Sequence, residues 1–404
     1  MSEVCANCFD EPNIQSLIRD VDGEPGCDFC GQHDAPTMSL DELGAFILER
    51  VEIFYGRAAD HLGYISREGG YVGTTYLTFE ILYYEWGLDL PRDHDDVLRD
   101  ALLQAVDTDE IWCERNPYGN ERDQSLIFSW NSFCDVVKYR RRSFFHRIGE
   151  ERDDFDDSLS PAELLQQIAE IVNRLIATVP AGLRFARARD RRTSDVHFIT
   201  ATDLGPPLAA EARQPNRMSP PGIAMLYGAE TACLAAAELG AEHTAIGIFE
   251  TTRDLRMLDL ATLRPPGYFG MDDLDDVLNR RFLNRFAFLI SQPIPRDGQD
   301  HIDYVPTQVF TEFLRDFAFE RGLIDVVRYP TTKTAPGANL VFFATREDVL
   351  GAGQEPNVGW LRLLAAAEGG EEEGLDHEHR LPHEIRVQAR LDELPLFGQR
   401  QVHD

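Results

Sequence analysis

Two closely spaced cysteine pairs limit what the first part of this chain can fold into: Cys5-Ala6-Asn7-Cys8 and, eighteen residues later, Cys27-Asp28-Phe29-Cys30. Two such pairs supply four thiolates to one tetrahedral zinc, each pair forming a knuckle whose backbone amides face the sulfurs. The alternative, a pair of disulfides, needs an oxidising compartment. The start of the chain, Met1-Ser2-Glu3-Val4-Cys5, is polar and acidic with neither a basic nor an apolar signal region, so a cytoplasmic location and a metal knuckle over residues 1–36 are expected. Four protein ligands leave no open coordination position, which makes the expected zinc structural. Cys113, Cys134 and Cys233 stand apart and read as small apolar residues.

With 404 residues, 43% of them hydrophobic, the chain has enough core for two or three domains. No stretch reaches the roughly 20 apolar residues of a membrane helix. The best one, Gly222 to Gly240, is interrupted by Glu230 and Glu238. The formal net charge of −31 repels phosphate backbones at long range, so nucleic acid is a poor partner. A local arginine cluster can still hold a small anion.

Ser39 and Glu42 have capping-box spacing ahead of Leu43, Phe46, Ile47, Val51 and Phe54 at helical intervals. Aromatic-rich segments follow, from Tyr76 to Tyr84 and from Trp130 to Tyr139, so a mainly helical domain is expected over 37–150. An acidic stretch, Gly149 to Asp157, marks a boundary near 150. Beyond it, Ser160-Pro161-Ala162-Glu163 sets an N-cap, an N1 proline and an N3 glutamate for a helix. Short β-type runs then alternate with proline-rich loops: Val196–Ile199, Ala224–Tyr227, Thr244–Phe249, Val326–Tyr329 and Asn339–Phe343. The pattern is that of an α+β domain over 158–404, with an acidic loop near 368–378.

The chemistry-bearing residues concentrate in this second part. Arg187 and Arg189 alternate, so on a strand both side chains leave one face, and two guanidinium groups on one face suit a pyrophosphate. Further on, Asn216-Arg217-Met218-Ser219-Pro220-Pro221-Gly222 leads to a strand ending at Tyr227, and a helix beginning at Thr231 carries Glu238 about two turns later. An aromatic face and a carboxylate can flank one ligand there.

These residues resemble the RES domain, named for its arginine, glutamate and serine, a compact relative of the ADP-ribosyltransferase toxins. The matching motifs are Ala186-Arg187-Ala188-Arg189, Asn216 to Gly222 with Tyr227 and Glu238, Tyr304-Val305-Pro306-Thr307-Gln308, Tyr329-Pro330-Thr331-Thr332 and Gly337 to Phe343. They span about residues 180–345. The double-CxxC knuckle and helical segment over 1–150 resemble the HEPN-like extension found on a subset of RES proteins. The resemblance implies an ADP-ribosyltransferase-like mixed β domain that takes NAD as substrate and cleaves its nicotinamide–ribose bond, as a glycohydrolase or phosphorylase, in a toxin or defence role. Protein ADP-ribosylation is the alternative. Glu238 is implied to stabilise the oxocarbenium-like ribose, Arg187 to bind the pyrophosphate or ribose edge, and Tyr227 to stack on nicotinamide or hydrogen-bond near the ribose. Arg189 and Arg217 are further cofactor-binding candidates. Thr331 stands where the family has serine, keeping the hydroxyl and adding a methyl, with Thr332 beside it. A protein antitoxin or regulator is an implied partner, with the N-terminal module as a built-in regulator.

Two rival readings remain at this level. Arg141 and His146 have the RxxxxH spacing of HEPN ribonucleases, which would place acid-base chemistry in the helical domain. Alternatively, the knuckle and helices bind a partner while the RES-like part is catalytically inert.

Overall fold

The structure is a computed structural model of this chain. It describes residues 2–21, 23, 25–67, 69–93, 96–106, 110–143, 159–193, 195–263, 267–270, 273–294, 298–333, 337–351 and 359–369. His146, the acidic stretch 149–157 and the acidic loop from residue 370 onward lie outside the described residues, as does the expected boundary near 150. Two compact units are present, one formed by Met1–Ser125 with Arg264–Phe282 and the other by Leu126–Leu263 with Leu283–Asp404. Among the described residues no helix is long and apolar enough to cross a membrane.

In the first unit, Glu3–Cys5 pairs antiparallel with Thr37–Ser39, which brings the two cysteine pairs onto one small frame. Helix α1 (Pro12–Arg19) starts where the Glu11 carboxylate accepts from the Asn13 and Ile14 amides, satisfying donors that the first turn leaves free. Ser39 does the same for α2 (Leu40–Phe54), accepting from the Glu42 amide at 3.3 Å. Leu43, Ile47 and Val51 on one face of α2 are fully buried and share a core with Phe9, Ile14 and Ile18. Helix α3 (Val97–Ala105) adds Leu98 and Leu102 to that core. The expected mainly helical stretch also holds two short antiparallel ladders, Tyr55–Arg57 with Trp112–Glu114 and Tyr64–Ile65 with Gly70–Tyr71.

The second unit is built on a nine-stranded mixed sheet. In chain order its strands are β1 (Ile176–Val179), β2 (Arg184–Asp190), β3 (Leu226–Ala229), β4 (Thr244–Thr251), β5 (Leu255–Asp259), β6 (Val326–Pro330), β7 (Ala338–Phe342), β8 (Val349–Leu350) and β9 (Leu361–Gly369). Their order across the sheet is β8-β9-β4-β2-β3-β7-β6-β5-β1. The unit is therefore α+β. Phe185, Phe249 and Phe342 from three different strands stack at centroid separations of 5.5 and 4.2 Å, and each is fully buried. Burial on that scale contributes about 1.5–3 kcal/mol per side chain.

Two of the expected strands differ from the structure. Val196–Ile199 is irregular, because its backbone and rings find side-chain partners: the Phe198 amide donates to Glu368 Oε1 at 2.7 Å and the Phe198 ring lies 4.5 Å from the Arg189 guanidinium. The strand expected over Ala224–Tyr227 runs instead over Leu226–Ala229. Gly228 lets it approach β2, since a Cβ there would meet the Phe185 ring at 2.5 Å. Glu368, expected within a loop, is part of β9.

Helix α4 (Pro161–Val172) has the capping box that Ser160 and Glu163 predict. Helix α5 (Ala232–Leu239) is capped by Thr231, whose hydroxyl accepts from the Leu234 amide, and ends at Gly240 in the left-handed region. It packs on β2. Helix α6 (Val305–Asp316) begins at Tyr304, with Pro306 in its first turn.

Candidate functional site

A cavity of about 640 Å³ opens over the middle of the sheet, where β2, β3 and β7 lie side by side and α5 covers them. Arg187, Tyr227, Glu238, Tyr304, Tyr329 and Asn339 all line it, although they come from six separate places in the sequence.

Glu238 sits in the last turn of α5. Its Oε1 accepts from Thr331 Oγ1 at 2.7 Å and from Asn339 Nδ2 at 2.8 Å, while Oε2 has no partner among the described residues. Two donors on one oxygen fix the plane of the carboxylate and leave the other oxygen free to act. Thr331 Oγ1 also accepts from the Lys333 amide at 3.0 Å, so the hydroxyl's single proton is committed to Glu238. Threonine thus supplies the hydroxyl donor at this position, and it is Thr331 rather than Thr332 that reaches the carboxylate.

Arg187 is the opposite pole. Its Nη1 is buried without a hydrogen-bond partner, a costly arrangement for a cation. Burial, and then the neighbouring charge of Arg189, hold its guanidinium down to about 10. It remains charged at neutral pH and lacks an anion. Burial pushes the Tyr227 phenol up to about 12, so it stays protonated; its oxygen accepts from the Met218 amide at 3.2 Å and pairs with Ser219 Oγ at 2.9 Å.

The remaining arginine candidates are placed differently. Arg189 leaves the same strand face as Arg187 but does not line the cavity; it donates to the Asp203 carbonyl and stacks on Phe198. Arg217 does line it, yet its Nη1 is spent on the carbonyls of Ile290 and Gln292, at 2.8 and 2.7 Å. That makes Arg217 a fastener for its own loop. The first turn of α6 fastens the same loop from below, because Thr307 Oγ1 donates to the Arg217 carbonyl and Gln308 Nε2 to the Asn216 carbonyl at 2.8 Å.

Asn339 and Ser219 are site residues to which the sequence reading gave no role. A signal was present for the first: Asn339 interrupts an otherwise apolar strand, Ala338-Asn339-Leu340-Val341-Phe342, and is buried. A buried amide needs partners, and Glu238 provides one. A similar interruption, Arg328 in β6, donates to Glu230 and Asp259 and braces the sheet beside the site.

The four cysteines form a second cluster in the first unit. Their Sγ atoms all lie within 4.8 Å of one another, with Cys5–Cys8, Cys5–Cys30 and Cys8–Cys27 at 3.8, 3.4 and 3.6 Å. A tetrahedron of sulfurs about 2.3 Å from a zinc ion has edges of about 3.8 Å. Burial, and then the hydrogen bond it shares with Cys30, push the Cys5 thiol up to about 11, so a thiolate there needs a cation. The donor set fits one.

The family comparisons agree with this layout. Residues 184–361 match the RES domain, a span that contains every one of the cavity residues named above. Residues 20–151 match HEPN/RES N-terminal domain 1. No curated protein and no solved structure matches the chain. RES domains are NAD-utilising toxin domains. The chain is a RES domain protein with an HEPN/RES N-terminal domain.

Proposed function

We propose that this protein cleaves the bond between nicotinamide and ribose in NAD. The observation that carries the reading is the pairing, in one cavity, of a carboxylate oriented by two donors with a guanidinium whose Nη1 is buried without an acceptor. Arg187 accepts the pyrophosphate, and Glu238 faces the ribose. As nicotinamide departs as a neutral molecule, positive charge develops on the ribose carbon and ring oxygen. Oε2 of Glu238 stabilises that charge, in a setting where Thr331 and Asn339 have already fixed the carboxylate's orientation. Tyr227, neutral and held by Met218 and Ser219, offers its ring to nicotinamide. Water or phosphate then adds at the ribose carbon, giving ADP-ribose or its phosphorylated form. In a second role confined to the first unit, Cys5, Cys8, Cys27 and Cys30 hold a structural zinc.

The test is incubation of the purified protein with NAD, with and without phosphate, and identification of products by mass. Nicotinamide with ADP-ribose, or with phosphorylated ADP-ribose only when phosphate is present, is the expected result. Loss of one designed transition-state contact costs about 10²–10³ in kcat, so Glu238→Gln should retain its fold by circular dichroism and lose at least that much turnover. Undiminished nicotinamide release from the folded variant would refute the assignment.

A further inference from the structure

The cavity holds more positive charge than NAD can use. Four arginines line it: Arg187, Arg192, Arg213 and Arg217. Arg217 is committed to the Ile290 and Gln292 carbonyls, and Arg187 suffices for a pyrophosphate. That leaves Arg192 and Arg213. Both are exposed at the cavity, and neither side chain has a hydrogen-bond or ion-pair partner among the described residues. In a chain with 70 acidic and 39 basic residues, carboxylates to pair with an exposed arginine are plentiful, so two unpaired arginines lining one cavity call for a reason.

Their position follows from the strand. Arg192 lies two residues past the end of β2 and five beyond Arg187, so its backbone is at most roughly 16–18 Å from that of Arg187, within the reach of an extended dinucleotide. The backbone there is fixed. Arg192 occupies the left-handed region at φ 65°, uncommon for a residue with a side chain, and its amide donates to Asp190 Oδ1 at 2.7 Å. The preceding residue is held on both sides, with the Arg191 amide donating to the His243 carbonyl and its Nε to the Val196 carbonyl. Arg213 is set by the neighbouring loop, where the Ala212 carbonyl accepts from the Gly222 amide at 2.7 Å.

We propose that the cavity is built for a dinucleotide with a third phosphate, and that Arg192 and Arg213 hold the 2′-phosphate on the adenosine ribose of NADP. The proposal rests on the NAD-cleaving reading and narrows its substrate class. A phosphate monoester brings close to two negative charges and three acceptor oxygens, which suits two guanidinium groups from separate loops. Free inorganic phosphate has the same chemistry, but as an acceptor it must meet the ribose carbon beside Glu238, so its effect would fall equally on both dinucleotides.

The experiment compares kcat/KM for NADP and NAD in the full chain, then in Arg192→Gln, Arg213→Gln and the double variant. The wild type should prefer NADP by at least tenfold, the double variant should lose most of that ratio, and Arg192→Lys with Arg213→Lys should restore part of it. A wild-type ratio at or below one, or a ratio untouched in the folded double variant, overturns the proposal. So does a stimulation by inorganic phosphate, equal for both dinucleotides, that vanishes in the double variant while the ratio stays. Binding separates this inference from the reading beneath it. Calorimetry on Glu238→Gln with 2′-phospho-ADP-ribose and ADP-ribose needs no turnover, and tighter binding of the former supports the third-phosphate site even if neither dinucleotide is cleaved.

Discussion

The two units each bury polar groups that their own residues do not satisfy, but with opposite sign. In the first, four sulfurs lie within 4.8 Å of one another, and burial raises the cost of ionising Cys5. In the second, a guanidinium nitrogen is enclosed without an acceptor, in the wall of a cavity of about 640 Å³. The first arrangement fits a cation and offers it four ligands. The second wants an anion and is open. A closed set of donors makes a bound ion part of the fold, whereas an open one makes the ligand an exchangeable substrate.

The sharpest way to break this comparison is to remove the cation. Apparent zinc-binding free energies in small metal-organised domains are roughly 10–16 kcal/mol, so a strong chelator, or Cys27→Ser, should unfold the first unit; zinc content by elemental analysis and melting by calorimetry check this. A chelated chain with an unchanged melting profile would make the cysteines a plain core. A smaller effect is expected from Thr331. Thr331→Ala removes one of two donors to Glu238 and should lower kcat about tenfold while leaving KM near its original value, and Thr331→Ser should recover most of the loss. An equal loss in both variants would assign the role to the methyl. The smallest effect concerns pH. Arg187 is charged below about 10, so affinity for NAD should be flat from pH 6 to 8 and fall as pH rises through that value, before Tyr227, titrating near 12, is reached. A fall in affinity centred near neutrality would point to a group other than Arg187.

The sequence showed the elements better than their partners. Thr244–Phe249, Val326–Tyr329 and Asn339–Phe343 are mostly apolar or β-branched runs, and all three fall on strands of the sheet, with Phe343 one residue past the end of β7. Val196–Ile199 has the same local character, yet its Phe198 amide goes to Glu368, a residue 170 positions away. No local pattern reports such a competitor. The same reasoning separates Arg187 from Arg189. Their alternation is visible in the chain, but the carbonyl of Asp203 and the ring of Phe198 that occupy Arg189 come from a loop whose path depends on the sheet. Glu238 was legible by its place on a helix after Tyr227. Its two hydrogen-bond donors became visible only when β7 and the turn after β6 were brought beside α5.

The hydrogen bonds at Glu238 make its two oxygens chemically unequal. Oε1 receives the Thr331 hydroxyl and the Asn339 amide, and a proton placed on it would have to displace a donor. In the proposed reaction, any proton that Glu238 takes from an incoming water or phosphate therefore arrives on Oε2, the same atom assigned to stabilise the cationic ribose. One atom takes two successive roles in that proposed reaction, and Thr331 and Asn339, which need not touch the substrate, determine which atom that is.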